Sequence, residues 1–181
     1  HPMSSLFRPA TDLMAQYAAY HRDRRNIATH FVGIPLIVFA VVTLLARAGF
    51  SLASIELNAA IVVWGLSALW YLTRGNLVLG ATTAIMNGVL TAFGMLAAIG
   101  PWSTWLAIGI GSFVVGWVIQ FIGHYYEGRK PAFVDDLVGL LVGPMFVAGE
   151  VLFSIGWGRQ LLAEIEQRVG PTHIRDLAQP V

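Results

Sequence analysis

Polar and apolar positions fall into long blocks along this chain rather than alternating at short range. Apolar runs cover residues 31–45, 55–72, 77–99, 102–122 and 137–157. A helix needs about 20 apolar residues to cross a bilayer. From Gly75 to Tyr126 there is no Asp, Glu, Lys or Arg, which leaves room for two full crossings with a turn at Gly100-Pro101. The runs at 31–45 and 55–72 read as a hairpin around residues 47–54, with Glu56 near its mouth. The last run is interrupted by Gly143-Pro144 and contains Glu150. Proline removes a helical hydrogen bond, so this run reads as a kinked crossing, a re-entrant pair or a helix packed within the bundle. Residues 6–20 read as a short helix started by Thr11 or Asp12, with Leu13, Met14 and Tyr17 on one face. That face suits either the bilayer surface or the helices behind it. Residues 159–169 read as an amphipathic helix with Leu161, Leu162 and Ile165 on one face, stopped by Gly170. Residues 170–181, with His173, read as a loose tail, residues 1–5 as a lead-in, and His1-Pro2 ahead of Met3 as a cloning scar. The expected fold class is all-α. It is a polytopic membrane bundle of four to five embedded helices, flanked by the N-terminal and amphipathic helices, in one membrane domain.

Composition agrees with the pattern. The 181 residues are 56% hydrophobic and 12% charged, against about 25% charged in a soluble domain. A net charge of +1 gives no reason to expect nucleic acid as a partner. Cysteine is absent, which excludes disulfides, a thiolate nucleophile and thiolate-bound zinc. The cations are placed unevenly. Arg8, Arg22, Arg24 and Arg25 precede the first run, Arg74 lies between the second and third, and Arg129 and Lys130 follow the fourth. If four spans alternate, all seven share one face and only Arg47 lies opposite, which makes the N-terminal face cytoplasmic.

Two polar knots then share that face. In the first, Tyr20 to Pro35, His21 and His30 would point in nearly opposite directions on one continuous helix. They meet only if the chain breaks between them, and Asn26 is suited to capping a new helix there. In the second, Gln120, His124 and Glu127 lie at i, i+4 and i+7 on one helical face. The plain alternative is a set of interfacial histidines bonded to backbone, with Glu127 paired to Arg129 or Lys130. Glu150 is the one ionisable residue deep in an apolar run. Such residues usually face a bundle interior, which suits a carboxylate orienting a histidine, a structural partner to an arginine, or a ligand. Arg24, Arg25 and Lys130 read as orientation charges or as a greeting for an anionic head group. Without cysteine, the metal set available is His21, His30, His124 and a carboxylate. Two or three histidines with a carboxylate and open positions suit non-haem Fe(II) and dioxygen, and catalytic zinc uses similar ligands.

Several motifs occur in order: Tyr20-His21, Asn26, His30, Gly33-Ile34-Pro35, Gln120-Phe121-Ile122-Gly123-His124, Glu127, Pro131-Ala132 and Pro144-x-Phe146-Val147-x-x-Glu150. Together they resemble the fungal 2-hydroxy fatty acid dioxygenase family, from about Leu13 to Trp157. The resemblance implies an Fe(II)-dependent enzyme of fatty acid α-oxidation, with iron ligands at His21, His30 and His124 and a further candidate at Glu127. It also implies a 2-hydroxy fatty acid and dioxygen as substrates and membrane lipid as surroundings. In that reading the acyl tail lies between spans, Arg24, Arg25 or Lys130 steers the carboxylate, and Asn26 and Gln120 supply supporting hydrogen bonds. Two readings from other classes stand beside it: a zinc-dependent membrane hydrolase on the same residues, and a non-catalytic lipid-binding membrane protein.

Overall fold

A computed structural model describes residues 6–181; the expected lead-in and the His1-Pro2 pair lie outside the described residues. The elements are α1 (Ala10–Ala18), α2 (Arg24–Leu45), a hairpin of β1 (Gly49–Leu52) and β2 (Ile55–Asn58), α3 (Ala59–Leu72), α4 (Leu77–Ala97), α5 (Trp102–Glu127), a 3-10 turn (Ala132–Val134), α6 (Val138–Ser154) and α7 (Arg159–Val169). The all-α reading holds, with one two-stranded hairpin added.

Helix starts follow side-chain caps. The Asp23 carboxylate accepts from the Arg25 N–H and opens α2, while Asn58 and Asn76 cap α3 and α4 in the same way. Asp23, not Asn26, is therefore the cap of the second helix. The break it marks is the one needed to let His21 and His30 meet. Pro35 and Pro144 both sit inside continuous helices. Neither Thr11 nor Asp12 caps α1, which begins after Pro9. Asp12 instead pairs with Arg168 of α7 at 2.7 Å.

Among the described residues three helices, α2, α4 and α5, are long and apolar enough to cross a membrane; α6 and α7, bent by 118° at their junction, add a fourth if the pair counts as one broken span. The run at 55–72 departs from expectation. Its first four residues pair with β1 in the hairpin, leaving α3 with 14 residues. At about 1.5 Å per residue that helix is roughly 21 Å long, short of the ~30 Å hydrocarbon core. The chain still returns to its starting end through α3, because Ala10 donates to the Arg74 carbonyl just beyond it. Arg47 lies at the other end, donating to the carbonyls of Ala98 and Gly100. Leu66, Leu69, Ile85, Phe93 and Ile110 face outward, while Thr43, Thr83, Asn87 and Thr91 are buried. This inverted distribution suits lipid surroundings.

The pair that positions the site is α2 against α5, antiparallel. Gly109, Gly116 and Gly123 recur every seventh residue on α5, and small residues let helix backbones approach closely in lipid. A Cβ would fall 2.4 Å from Leu44 at Gly109, 2.7 Å from Ile37 at Gly116 and 2.0 Å from Thr29 Oγ1 at Gly123. Gly111, on the same helix, has nothing within 4 Å of such a Cβ. Gly123→Ala is expected to lower the unfolding midpoint in detergent by an amount equivalent to about 1–3 kcal/mol. Gly111→Ala is expected to leave it unchanged or raise it, since alanine is the better helix former by about 1 kcal/mol.

The Leu13, Met14 and Tyr17 face of α1 packs on α6 and α7, against Met145, Phe146, Leu161 and Ile165, rather than on the bilayer surface. The tail expected to be loose is pinned near the site. The His173 N–H donates to the Arg22 carbonyl at 2.8 Å and the His173 carbonyl accepts from Arg24 at 2.9 Å. Arg175 then donates its N–H to Asp23 and its guanidinium to the carbonyls of Tyr125 and Tyr126 at the end of α5. The positive φ of Gly170 turns the chain into this path, and the Asp23 carboxylate gives it something to hold.

Candidate metal centre

His21 lies between α1 and α2, His30 one and a half turns into α2, and His124 near the end of α5. The structure brings these three imidazoles together, with one ligand atom of each lying within 4.8 Å of the others. Ring centroids are 4.4 Å apart for His21 and His30, 4.9 Å for His21 and His124, and 5.1 Å for His30 and His124. All three side chains are buried. The Tyr17 ring stacks on His21 at 4.1 Å with an 8° interplanar angle, and Phe146 closes the same side. Burial, followed by the charge that His30 and His124 would carry, pushes His21 well below the ordinary histidine value. It is held neutral, as a ligand must be.

Each ring is oriented by backbone. The Nδ1 atoms of His21, His30 and His124 lie 2.7, 2.8 and 3.1 Å from the carbonyls of Tyr17, Asn26 and Arg129. A carbonyl only accepts, so each Nδ1 carries its proton and each Nε2 presents a lone pair to the centre. The Nε2 atoms of His21 and His30 then face each other at 2.9 Å. Moving a proton onto either Nε2 would transfer the clash to a carbonyl. A cation between the rings resolves it. Two ligand nitrogens at right angles and about 2.1 Å from a metal are about 3 Å apart, so the donor set and its spacing fit a metal ion.

Glu127 and Asn26 serve this loop rather than the lone pairs. The Glu127 carboxylate accepts from the backbone N–H groups of Arg22 and Asp23, both at 2.8 Å, and from Asn26 Nδ2 at 3.0 Å. It lies outside the converging group. Asn26 also donates to the Tyr20 carbonyl at 3.1 Å. Burial alone would raise the Asp23 pKa. Hydrogen bonds from the Arg25 side chain and the backbone of Arg175 and Arg25 outweigh it and hold Asp23 at about 2.

The cations expected to greet a carboxylate are engaged elsewhere. Arg25 pairs with Asp23 at 2.7 Å and lies over the Tyr126 ring; Lys130 pairs with Asp135 at 2.7 Å; Arg24 reaches Thr172 Oγ1 at 3.4 Å. None of the three lines the cavity beside the histidines. Glu150 stands apart from the cluster, in the field of Arg22 and Glu166. Arg22, read from sequence only as one of the cations that set orientation, is built into the fold beside the site. It is buried, donating to the carbonyls of Ala18, His21 and Gly170, and balanced by Glu150, Glu127 and Glu166. Tyr17 was legible as an aromatic four residues before His21, though only as part of an apolar face.

A small cavity of about 60 Å³ opens on the histidines, walled by His30, His124, Gln120, Trp117, Tyr17 and Pro144 among others. Two residues of that wall each carry a buried polar atom with no hydrogen-bond partner among the described residues: Gln120 Oε1, packed against Gly33 of α2, and Trp117 Nε1.

The sequence profile of the family described as "2-hydroxy-palmitic acid dioxygenase Mpo1-like" matches residues 7–155. The chain belongs to that family. It is 33% identical over 161 residues to the 2-hydroxy-palmitic acid dioxygenase MPO1 of Saccharomyces cerevisiae, covering 86% of this chain and 88% of the relative. All three clustered histidines, Asn26, Gln120, Glu127 and Glu150 fall inside the matched region. No solved structure matches the chain.

Proposed function

We propose that this protein is a membrane-embedded, Fe(II)-dependent dioxygenase that shortens a 2-hydroxy fatty acid by one carbon. The observation that carries the reading is the set of three imidazoles whose Nδ1 atoms are tied to carbonyls, so that three Nε2 lone pairs converge. Family membership supports the substrate class. His21, His30 and His124 would hold the metal. Fe(II) bound there supplies dioxygen activation and an anchor for the 2-hydroxy acid. The chain's own groups do the rest. Gln120 Oε1 would accept from the 2-hydroxyl and the Trp117 indole N–H would donate to a substrate oxygen, a role supported by the lack of any other partner for either atom. Tyr17, Phe146 and Pro144 exclude bulk water. The reaction balances with dioxygen as sole oxidant: the 2-hydroxy acid and O2 give the acid one carbon shorter, carbon dioxide and water. Arg74 and Arg129, bonded to Arg8 and Ala19, lie at the histidine end and Arg47 at the opposite end. This bias supports a cytoplasmic site.

The test is oxygen uptake by anaerobically purified protein loaded with Fe(II), given 2-hydroxypalmitate. Uptake is expected to match formation of the acid one carbon shorter, with palmitate itself inert because it has no hydroxyl for Gln120. Retention of zinc with no oxygen requirement would replace this reading with hydrolysis. Failure to retain any metal would return the histidines to a structural role.

A further inference from the structure

Ile37, Val38, Trp117, Leu140 and Pro144 line the small cavity on the histidines and also a second, larger one. The two cavities therefore adjoin at these five side chains, a boundary termed the throat. The chamber beyond has a volume of about 400 Å³, lies among α2, α3, α4, α5 and α6, and opens to the outside past the exposed Val41, Val63 and Phe113. That size is within the range of ligand sites. Along α5, Phe113 in the chamber lies 11 residues before His124; along α2, Val41 lies 11 residues after His30. Both counts put the far wall about 17 Å along the bundle from the cluster.

Polarity divides sharply at the throat. On the histidine side are the three imidazoles and the unpartnered Gln120 Oε1, and Trp117 Nε1 lies at the divide. On the chamber side three of the four polar residues, other than tryptophan, have their hydroxyls bonded. Ser67 Oγ donates to the Trp64 carbonyl, Thr91 Oγ1 to the Asn87 carbonyl and the Tyr71 hydroxyl to the Leu141 carbonyl. Apart from Asn87, beside the Tyr71 hydroxyl, the remaining wall is apolar and includes Val41, Val42, Val63, Trp64 and Phe113. An occupant of both compartments therefore carries its polar atoms at one end and a long chain with none at the other.

We infer that the chamber holds the alkyl tail of the 2-hydroxy acid, and that its far wall sets the preferred chain length. This rests on the dioxygenase reading for the head group only. The throat fixes how many carbons separate the reacting end from the chamber, and Trp64, Thr91 and Phe113 bound the space for the rest.

Two measurements test it. The first uses metal-depleted protein and 2-hydroxypalmitate carrying a diazirine on its terminal carbon, followed by peptide mapping after illumination. Label is expected on Trp64 or Thr91, and competed away by unlabelled 2-hydroxypalmitate. Label confined to outward side chains such as Leu66 and Phe93 would overturn the assignment. The second compares turnover of 2-hydroxypalmitate with that of 2-hydroxydecanoate in Thr91→Phe and Ser67→Phe, which fill the chamber from two different helices. The ratio of kcat/KM, long over short, is expected to fall at least about tenfold, as pocket discrimination among methylenes allows. An unchanged ratio in a folded variant would overturn the chamber as the tail site. The two readings fail separately. Terminal label inside the chamber with no turnover of any 2-hydroxy acid keeps the chamber and removes the dioxygenase; turnover with label only outside does the reverse.

Discussion

His30→Ala and His124→Ala are each expected to lose bound iron and all measurable turnover, the largest effects in the protein. Each histidine supplies one of only three lone pairs that converge among the described residues. Altering a group that merely orients a ligand costs about 10–100-fold in metal affinity, so deleting a ligand costs more. The alternative, that the histidines serve packing alone, makes the opposite prediction. His30 is fully buried beside His21 at 2.9 Å, and without a cation the Nε2 atoms face each other unfavourably. Removing the His30 ring would then relieve the clash, and the unfolding midpoint of His30→Ala would rise or hold. The measurement is metal content by elemental analysis together with the unfolding midpoint, each with and without added Fe(II). Iron near the wild-type ratio in either variant would sink the site. A midpoint that Fe(II) raises in the wild type but not in the variants would tie the metal to these lone pairs, because a ligand that binds only the folded state stabilises it.

Glu127→Ala is expected to destabilise the protein by about 3 kcal/mol or more, since it strands three donors that each cost about 1–3 kcal/mol when left unpaired. Those donors are the backbone N–H groups of Arg22 and Asp23 and the Asn26 side chain. The loss should reach the metal too, because these bonds fix the segment that carries His21 and Asp23, the cap of α2. Metal affinity is expected to fall about 10–100-fold. Glu127→Gln keeps one acceptor oxygen but turns an amide N–H₂ toward another donor, so its effect should be intermediate. The spectroscopic signature of the bound metal separates the two roles open to this residue. A positioning residue leaves the spectrum of the Gln variant unchanged at saturating metal, with weaker binding and a lower midpoint. A direct ligand would change the spectrum itself.

The expectations that survived are those resting on local sequence and on the cost of polar groups in lipid. His21, His30 and His124 stood out because each sits at the edge of an apolar run, and the α-helical period placed Gln120, His124 and Glu127 on one face. The uneven placement of Lys and Arg predicted that both knots share an end, and the structure puts them there even though α3 is too short to count as a full span. The roles assigned to charges fared differently. Arg25 and Lys130, read as orientation charges or as a greeting for an anionic head group, pair with Asp23 and Asp135. A charge's partner depends on which distant residue is folded beside it. The tail shows the same dependence: nothing local in residues 170–181 announces that Asp23 and the carbonyl ends of α5 will hold it.

The sequence alone therefore determined the membrane class, the helix pattern and the residues able to ligate a metal, because hydropathy, helical period and donor chemistry are properties of short stretches. Tertiary structure decided which of those residues meet. Gly109, Gly116 and Gly123 are visible seven apart in the sequence, but only the docking of α5 on α2 gives them a purpose. Only tertiary structure brings three N–H donors from another segment to the Glu127 carboxylate. The chamber exists only where five helices leave a gap, a volume that no single stretch encodes.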